Sequence, residues 1–349
     1  MPVSKTQGAG NRHLSVALQS RGIRIESAIE RREGGAGPAE GITIILNDRP
    51  LTVPAAGSFV AQSPYSLRSS AGEHQLYLDG KPLCKVTIPP PPRFYVLSTD
   101  EGIPYSSIGL MHGDRCLGST VFQNCIYWNS PLRCAFCGIE LSLRNSATVH
   151  TKRPAQLLEV VMAASRFDSI EHITLTTGAQ ADETEEITHL ASCCSAIKSQ
   201  TALPVHVQIM PPNDPGLLEL LKRSGADTVG IHIESFDRAV LEQTAPCKAG
   251  IEKSRFIHSW KASVEIFGIN QVSSFLIAGL GESPGSIIEG ATLLCDLGVY
   301  PFIVPLRPIP GTLLQSHAPP DPEIMIALYE QAAALLAASG LSWRESKAG

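Results

Sequence analysis

From Asn11 to Arg32 apolar and charged residues alternate at roughly helical spacing, and Gly34 to Gly41, with four glycines and one proline, then breaks the pattern. A helix and a turn are expected there. Ile42-Thr43-Ile44-Ile45-Leu46 follows as a strand, and Gln75-Leu76-Tyr77-Leu78 joins Leu83-Cys84-Lys85-Val86-Thr87-Ile88 through Asp79-Gly80, a hairpin signature. Residues 1–92 are therefore expected to form a small N-terminal α+β domain. Pro89-Pro90-Pro91-Pro92 cannot donate ladder hydrogen bonds and marks a stiff boundary.

Residues 93–118 read as a connecting segment. From about Ser119 to Gly349 short β-branched runs alternate with longer helical ones, the pattern of βα units around a parallel sheet. Candidate strands are Thr120–Gln123, His172–Thr177, Val205–Ile209, Thr228–Ile233, Gln271–Ile277 and Tyr300–Leu306. Helices are expected over Pro154–Phe167, Glu183–Lys198, Pro215–Ser224, Gly250–Phe267, Pro284–Leu297 and Pro322–Ser339. This α/β pattern gives a partial (β/α)6 TIM-like barrel with a C-terminal helix, shorter than the roughly 250-residue eight-stranded barrel. No repeat suggests a solenoid.

Composition narrows the class of function. With 28 Lys+Arg against 33 Asp+Glu the formal net charge is −5, so no nucleic-acid footprint is expected. No apolar run approaches the roughly 18 residues of a spanning helix, and Met1 to Gln7 carries no signal-peptide apolar stretch. A cytoplasmic protein without membrane contact is expected. Nine cysteines, an odd number, then argue for reduced thiols with metal or redox work rather than a disulfide framework.

Four of them lie close together: Cys116, Cys125, Cys134 and Cys137, the last three spaced Cys125-x8-Cys134-x2-Cys137. They follow the first barrel strand, at the C-terminal face where barrel active sites assemble. A loop lets its sulfurs converge on one centre, and iron and zinc both accept thiolates. One reading is a zinc-dependent barrel enzyme or a zinc-stapled binding module, closed by Cys116 or His112. The other is a four-iron, four-sulfur ([4Fe-4S]) cluster held by Cys125, Cys134 and Cys137, with one iron left open. Adjacent Cys193 and Cys194 lie in a helical run, which would send one inward and one outward; Cys84 and Cys295 read as packing residues.

Phe136 before the third cysteine, Gly138 after it and the barrel that follows resemble the radical S-adenosylmethionine superfamily over roughly Ser119 to Pro320. The usual loop has three residues between the first two cysteines where this one has eight, a difference that costs little closure entropy. The resemblance implies that Thr177, Gly178 and Ala179 form the turn that meets the methionine amino group. It gives Glu234, in Gly230-Ile231-His232-Ile233-Glu234-Ser235, the ribose hydroxyls, with Ser235 beside it, as in the lipoyl and biotin synthase-like branch. Gly279 and Gly281 in Gly279-Leu280-Gly281-Glu282 would lie close to the adenine. Lys253 and Arg255 are both candidates for the methionine carboxylate. Cys247 would be a hydrogen-atom donor or substrate contact, and Arg307 would hold an anionic group of the substrate. With its N-terminal extension the sequence is most similar to radical SAM proteins of nitrilase gene clusters. The implied cofactors are the [4Fe-4S] cluster and S-adenosyl-L-methionine, and the implied partners are a small-molecule substrate and a flavodoxin- or ferredoxin-type electron donor.

Overall fold

Residues 5–29 and 40–348 are described by the computed structural model. Ahead of the proline run lie α1 (Lys5–Arg21), β1 (Arg24–Ile25), β2 (Gly41–Leu46), β3 (Arg49–Pro54), α2 (Ser58–Ala61), β4 (Tyr65–Ser70), β5 (Glu73–Leu78) and β6 (Lys81–Val86). The β5–β6 pair is the expected hairpin, with Asp79 and Gly80 both at positive φ. The first helix ends at Arg21 rather than Arg32. Gly22 takes φ +70° and the Ile23 N–H bonds to Pro54 O, which turns the chain into the sheet. Residues 30–39, with most of the expected glycine turn, lie outside the described residues. Leu18, Ile23, Ile44, Val53, Leu67 and Leu76 are fully buried together, so this part of the chain has an apolar cluster of its own.

Beyond it the chain forms β7 (Leu110–His112), β8 (Cys116–Thr120), α3 (Leu141–Arg144), α4 (Pro154–Asp168), β9 (His172–Thr176) and α5 (Glu183–Lys198). Then come β10 (Val205–Ile209), α6 (Gly216–Arg223), β11 (Thr228–Ile231), α7 (Arg238–Thr244), α8 (Pro246–Ala249) and α9 (Lys253–Phe267). The chain closes with β12 (Val272–Ala278), α10 (Pro284–Asp296), β13 (Tyr300–Pro305) and α11 (Pro322–Ser339). One sheet runs β7 to β13 in sequence order, parallel from β8 onward, with β7 antiparallel at its edge. It is a mixed α/β half-barrel of the TIM-like kind. Its first parallel strand is Cys116–Thr120, earlier than the expected Thr120–Gln123, because the chain leaves the ladder there and Phe122 bridges to Thr151 instead.

Strand alternation divides the sheet into two unlike faces. Leu117, Ile173, Leu175, Val207, Val229 and Leu276 are fully or almost fully buried against the helices, with Leu157, Leu190, Leu218 and Trp260. The concave face carries Cys116, Thr120, His172, Thr174, Thr176, His206, Gln208, Thr228 and Ser273 in the alternate positions. A complete eight-stranded barrel fills that space with branched aliphatics. Here most of those side chains are only half-buried, so the interior is polar and open. The last residues close its N-terminal end: Thr228 Oγ1 donates to Ala348 O at 3.0 Å and the Gln271 amide bonds the backbone of Glu345 and Lys347. Cys193 and Cys194 are both fully buried, against the expected split, because α5 carries apolar contacts on both sides.

Candidate functional site

Beyond the C-terminal end of β8 the cysteine loop folds as a chain of turns. The N–H groups of Trp128, Ser130 and Arg133 bond to the carbonyls of Cys125, Tyr127 and Ser130, which shortens the eight-residue insert and returns Cys134 toward Cys125. The Arg133 guanidinium stacks 3.4 Å from the Trp128 ring centroid, and its Nη2 reaches Gly311 O at 3.4 Å. Two bonds fix the second half: Ala135 N–H to Thr244 O at 2.7 Å and Cys247 N–H to Leu132 O at 3.2 Å. Neither Trp128 nor Arg133 was singled out by sequence reasoning. The aromatic-basic pairing inside the insert was the available signal.

Cys137 lies close enough to Cys134 and Cys125 to feel the charge of both, and Cys125 feels that of Cys134. Burial raises Cys125 and pushes Cys137 up to about 12. Cys134 Sγ lies 3.4 Å from Cys247 Sγ, and that contact together with burial holds Cys134 well above the ordinary thiol range. Binding a cationic centre must therefore displace these protons. Among the described residues no three His, Cys, Asp or Glu side chains close on a point as one metal ion requires. The fourth ligands considered for a zinc site are not brought in. Cys116 pairs with His112 at the N-terminal end of β8, the opposite end of a strand rising about 3.3 Å per residue.

The turn after β9 is packed onto this loop. A Cβ on Gly178 would stand 1.8 Å from Asn124 O, so only glycine permits the approach. Ile126 N–H bonds Ala179 O at 2.9 Å, the Ala179 backbone N–H also reaches toward the Cys125 sulfur, and Thr177 Oγ1 bonds Gly178 O. Gln180 N–H donates to Glu186 at 2.8 Å, and burial lifts that carboxyl to about 7.

Glu234 follows β11 with φ +73°, a left-handed conformation held by Glu234 N–H to Phe275 O and Ile277 N–H to Glu234 O. Its Oε1 meets Lys248 Nζ at 2.5 Å with both side chains nearly buried, while Oε2 is buried without a hydrogen-bond partner among the described residues. Lys248 also donates to His232 O at 2.5 Å. It was not among the sequence candidates, since only tertiary packing brings the neighbour of Cys247 under Glu234. Ser235 is buried and its hydroxyl accepts from Asp237 N–H, so it shapes the turn into α7. Asp237, not Glu234, caps that helix.

Gly279 takes φ +101° and faces Pro320 so closely that a Cβ would lie 2.9 Å from its ring; Gly281 takes φ +123°. Phe136 packs against Ile277, Leu280 and Leu306, joining the loop to the end of β12. Arg255 pairs with Glu183 at 2.8 Å and Lys253 lies 4.9 Å over the Phe236 ring. Arg307 is turned away from the expected substrate position. Its guanidinium lies 2.8 Å from where a Cβ of Gly41 would stand and near the charge of Glu40, and burial pushes it down to about 10.

Residues 130–294 match the Radical SAM superfamily, a span that takes in Cys134 and Cys137, begins after Cys125 and ends within α10. Bacteriochlorophyllide c C-7(1)-hydroxylase of Chlorobaculum limnaeum is 27% identical over 135 residues, 38% of this chain. The chain spans about a third of that relative, 33% of its length. Among solved structures, methylornithine synthase is 13% identical with a TM-score of 0.48, over 71% of this chain and 78% of that one. The FeFe-hydrogenase maturase HydG from Carboxydothermus hydrogenoformans is 20% identical with a TM-score of 0.47, over 65% and 52%. Its thiol-bearing loop is set over the end of a half-barrel, and residues 130–294, just under half of the chain, are similar to the Radical SAM superfamily domain.

Proposed function

We propose that Cys125, Cys134 and Cys137 hold a [4Fe-4S] cluster, that S-adenosylmethionine binds beside it, and that the substrate is a small molecule seated in the half-barrel. The observation that carries this is the loop itself: three thiols on one turn-folded segment, pinned to α7 and α8 and backed by the Gly178 turn. When bound, the cluster supplies the electron that splits S-adenosylmethionine into methionine and a 5′-deoxyadenosyl radical, which takes a hydrogen atom from substrate.

The residues present fit these groups. Glu234 offers a buried carboxylate oxygen without a partner among the described residues, suited to accept from a ribose hydroxyl, and Lys248 holds the carboxylate in place through the other oxygen. Carbonyls of the Thr177-Gly178-Ala179 turn serve the methionine ammonium. Gly279 and Gly281 let backbone approach the adenine, and Phe136 shields that side from water. Cys247, beside Cys134, is the candidate hydrogen donor; Arg307 serves the substrate only indirectly, through the packing of β2 on the barrel. A flavodoxin- or ferredoxin-type protein is the proposed electron source, and the lipoyl and biotin synthase-like branch, including proteins of nitrilase gene clusters, the proposed kinship.

The test is iron and sulfide content after anaerobic reconstitution. Alanine at Cys125, Cys134 or Cys137 should abolish cluster uptake, and Cys116→Ala should leave it intact. Bound zinc in place of iron, or iron lost only in Cys116→Ala, overturns the assignment.

A further inference from the structure

Two histidines on the concave face of the half-barrel are held in fixed and opposite tautomers. Thr228 Oγ1 gives its one hydrogen to Ala348 O at 3.0 Å, so across the 2.8 Å contact with His206 Nδ1 the imidazole is the donor. A neutral His206 then carries a lone pair on Nε2. His232 is reversed: its Nδ1 accepts the Phe275 N–H at 3.1 Å, which puts the proton on Nε2. Its ring is stacked on Phe275 at 4.0 Å, and its Nε2 is buried without a partner among the described residues. Burial keeps both rings neutral, His206 down at about 4 and His232 well below its ordinary value.

The two Nε2 atoms converge. A Cβ on Gly230 would lie 2.6 Å from His232 Cε1, 2.9 Å from its Nε2 and 3.1 Å from His206 Nε2, so glycine lets the His232 ring lie against the strand and brings both Nε2 atoms to one backbone position. A donor and an acceptor facing one point match a group that both accepts and donates, which a hydroxyl does and a carboxylate or an ammonium does not. From this geometry we infer that His206 and His232 form a hydroxyl-recognition site in the half-barrel, and that the substrate is an uncharged-at-that-point, hydroxyl-bearing small molecule. The inference rests on the reading of the half-barrel as the substrate chamber. An unpaired buried imidazole is costly, and a site built to hydrogen-bond a hydroxyl discriminates strongly against the analogue that lacks it.

The test uses the full chain, anaerobically reconstituted and labelled with 15N in its histidines. Spectra without additive should show the Nδ1-protonated tautomer at His206 and the Nε2-protonated tautomer at His232. Titration with 1,2-propanediol or lactate should move both Nε2 resonances saturably, and propionate should not. Gly230→Ala and His206→Phe should each weaken the response roughly tenfold or more with circular dichroism unchanged. Either tautomer reversed, an equal response to propionate, or no response to the hydroxyl probes, as when a tightly held water alone fills the gap, overturns the inference. Reductive formation of 5′-deoxyadenosine by the same preparation, without any probe, tests the radical reading separately.

Discussion

Replacing Lys248 by Met should expose how the floor of the proposed cofactor site is held. The ammonium lies 2.5 Å from Glu234 Oε1 and 2.5 Å from His232 O, with the lysine and glutamate side chains only 10% and 8% exposed. At that burial, removing one partner strands a charge in a poorly solvated place, at a cost of about 3–5 kcal/mol. For chains somewhat smaller than this one, each kcal/mol moves the melting temperature by about 2–4 °C, so a fall of roughly 6–10 °C is expected at the lower rate. Glu234→Gln added to Lys248→Met removes the stranded charge and should restore most of the loss, although it also removes the carboxylate proposed for the ribose. The assay is thermal unfolding by circular dichroism of the wild type, both single variants and the double variant, at equal cluster content. A Lys248→Met melt within about 2 °C of wild type, or a double variant no more stable than that single one, would refute the claim that the pair is a buried, mutually dependent unit.

Glu234→Gln by itself should lower S-adenosylmethionine affinity about tenfold to a hundredfold with iron content unchanged, as expected for loss of a hydrogen bond to a charged group of about 1.5–3 kcal/mol; titration followed through the cluster absorbance measures it. Gly178→Ala places a Cβ 1.8 Å from Asn124 O, so the loop must shift and iron uptake should fall severely, while Gly80→Ala, with open space around it, should leave uptake unchanged. Glu186 titrates near 7 when folded against 4.5 when free, so its contribution to stability is full below about 4.5 and is lost as pH rises through 7. Glu186→Gln should remove up to about 3 kcal/mol of that slope, measured as melting temperature between pH 5 and 8.

Periodicity and thiol spacing along the chain determined the half-barrel's element order and the place of the cysteine loop after its first parallel strand. α5, α11 and β10 occupy the residues their patterns indicate, because each is long or apolar enough for local preference and burial to agree. The Asp79-Gly80 hairpin was equally legible, since its turn requires positive φ at residues that adopt it readily. Tertiary structure decided what local sequence does not encode. The first helix stops at Gly22 because Ile23 joins a sheet, and β8 starts early because Phe122 turns away to Thr151. Cys116 was separated from the cysteine loop by the length of a strand. Arg307 sits at the rim position its sequence suggests, yet its side chain turns to the backbone of β2, a direction set by packing between distant segments. The pairings of Lys248 with Glu234 and of His206 with His232 likewise need strands and helices already assembled, because no spacing rule relates side chains that meet only across a curved sheet.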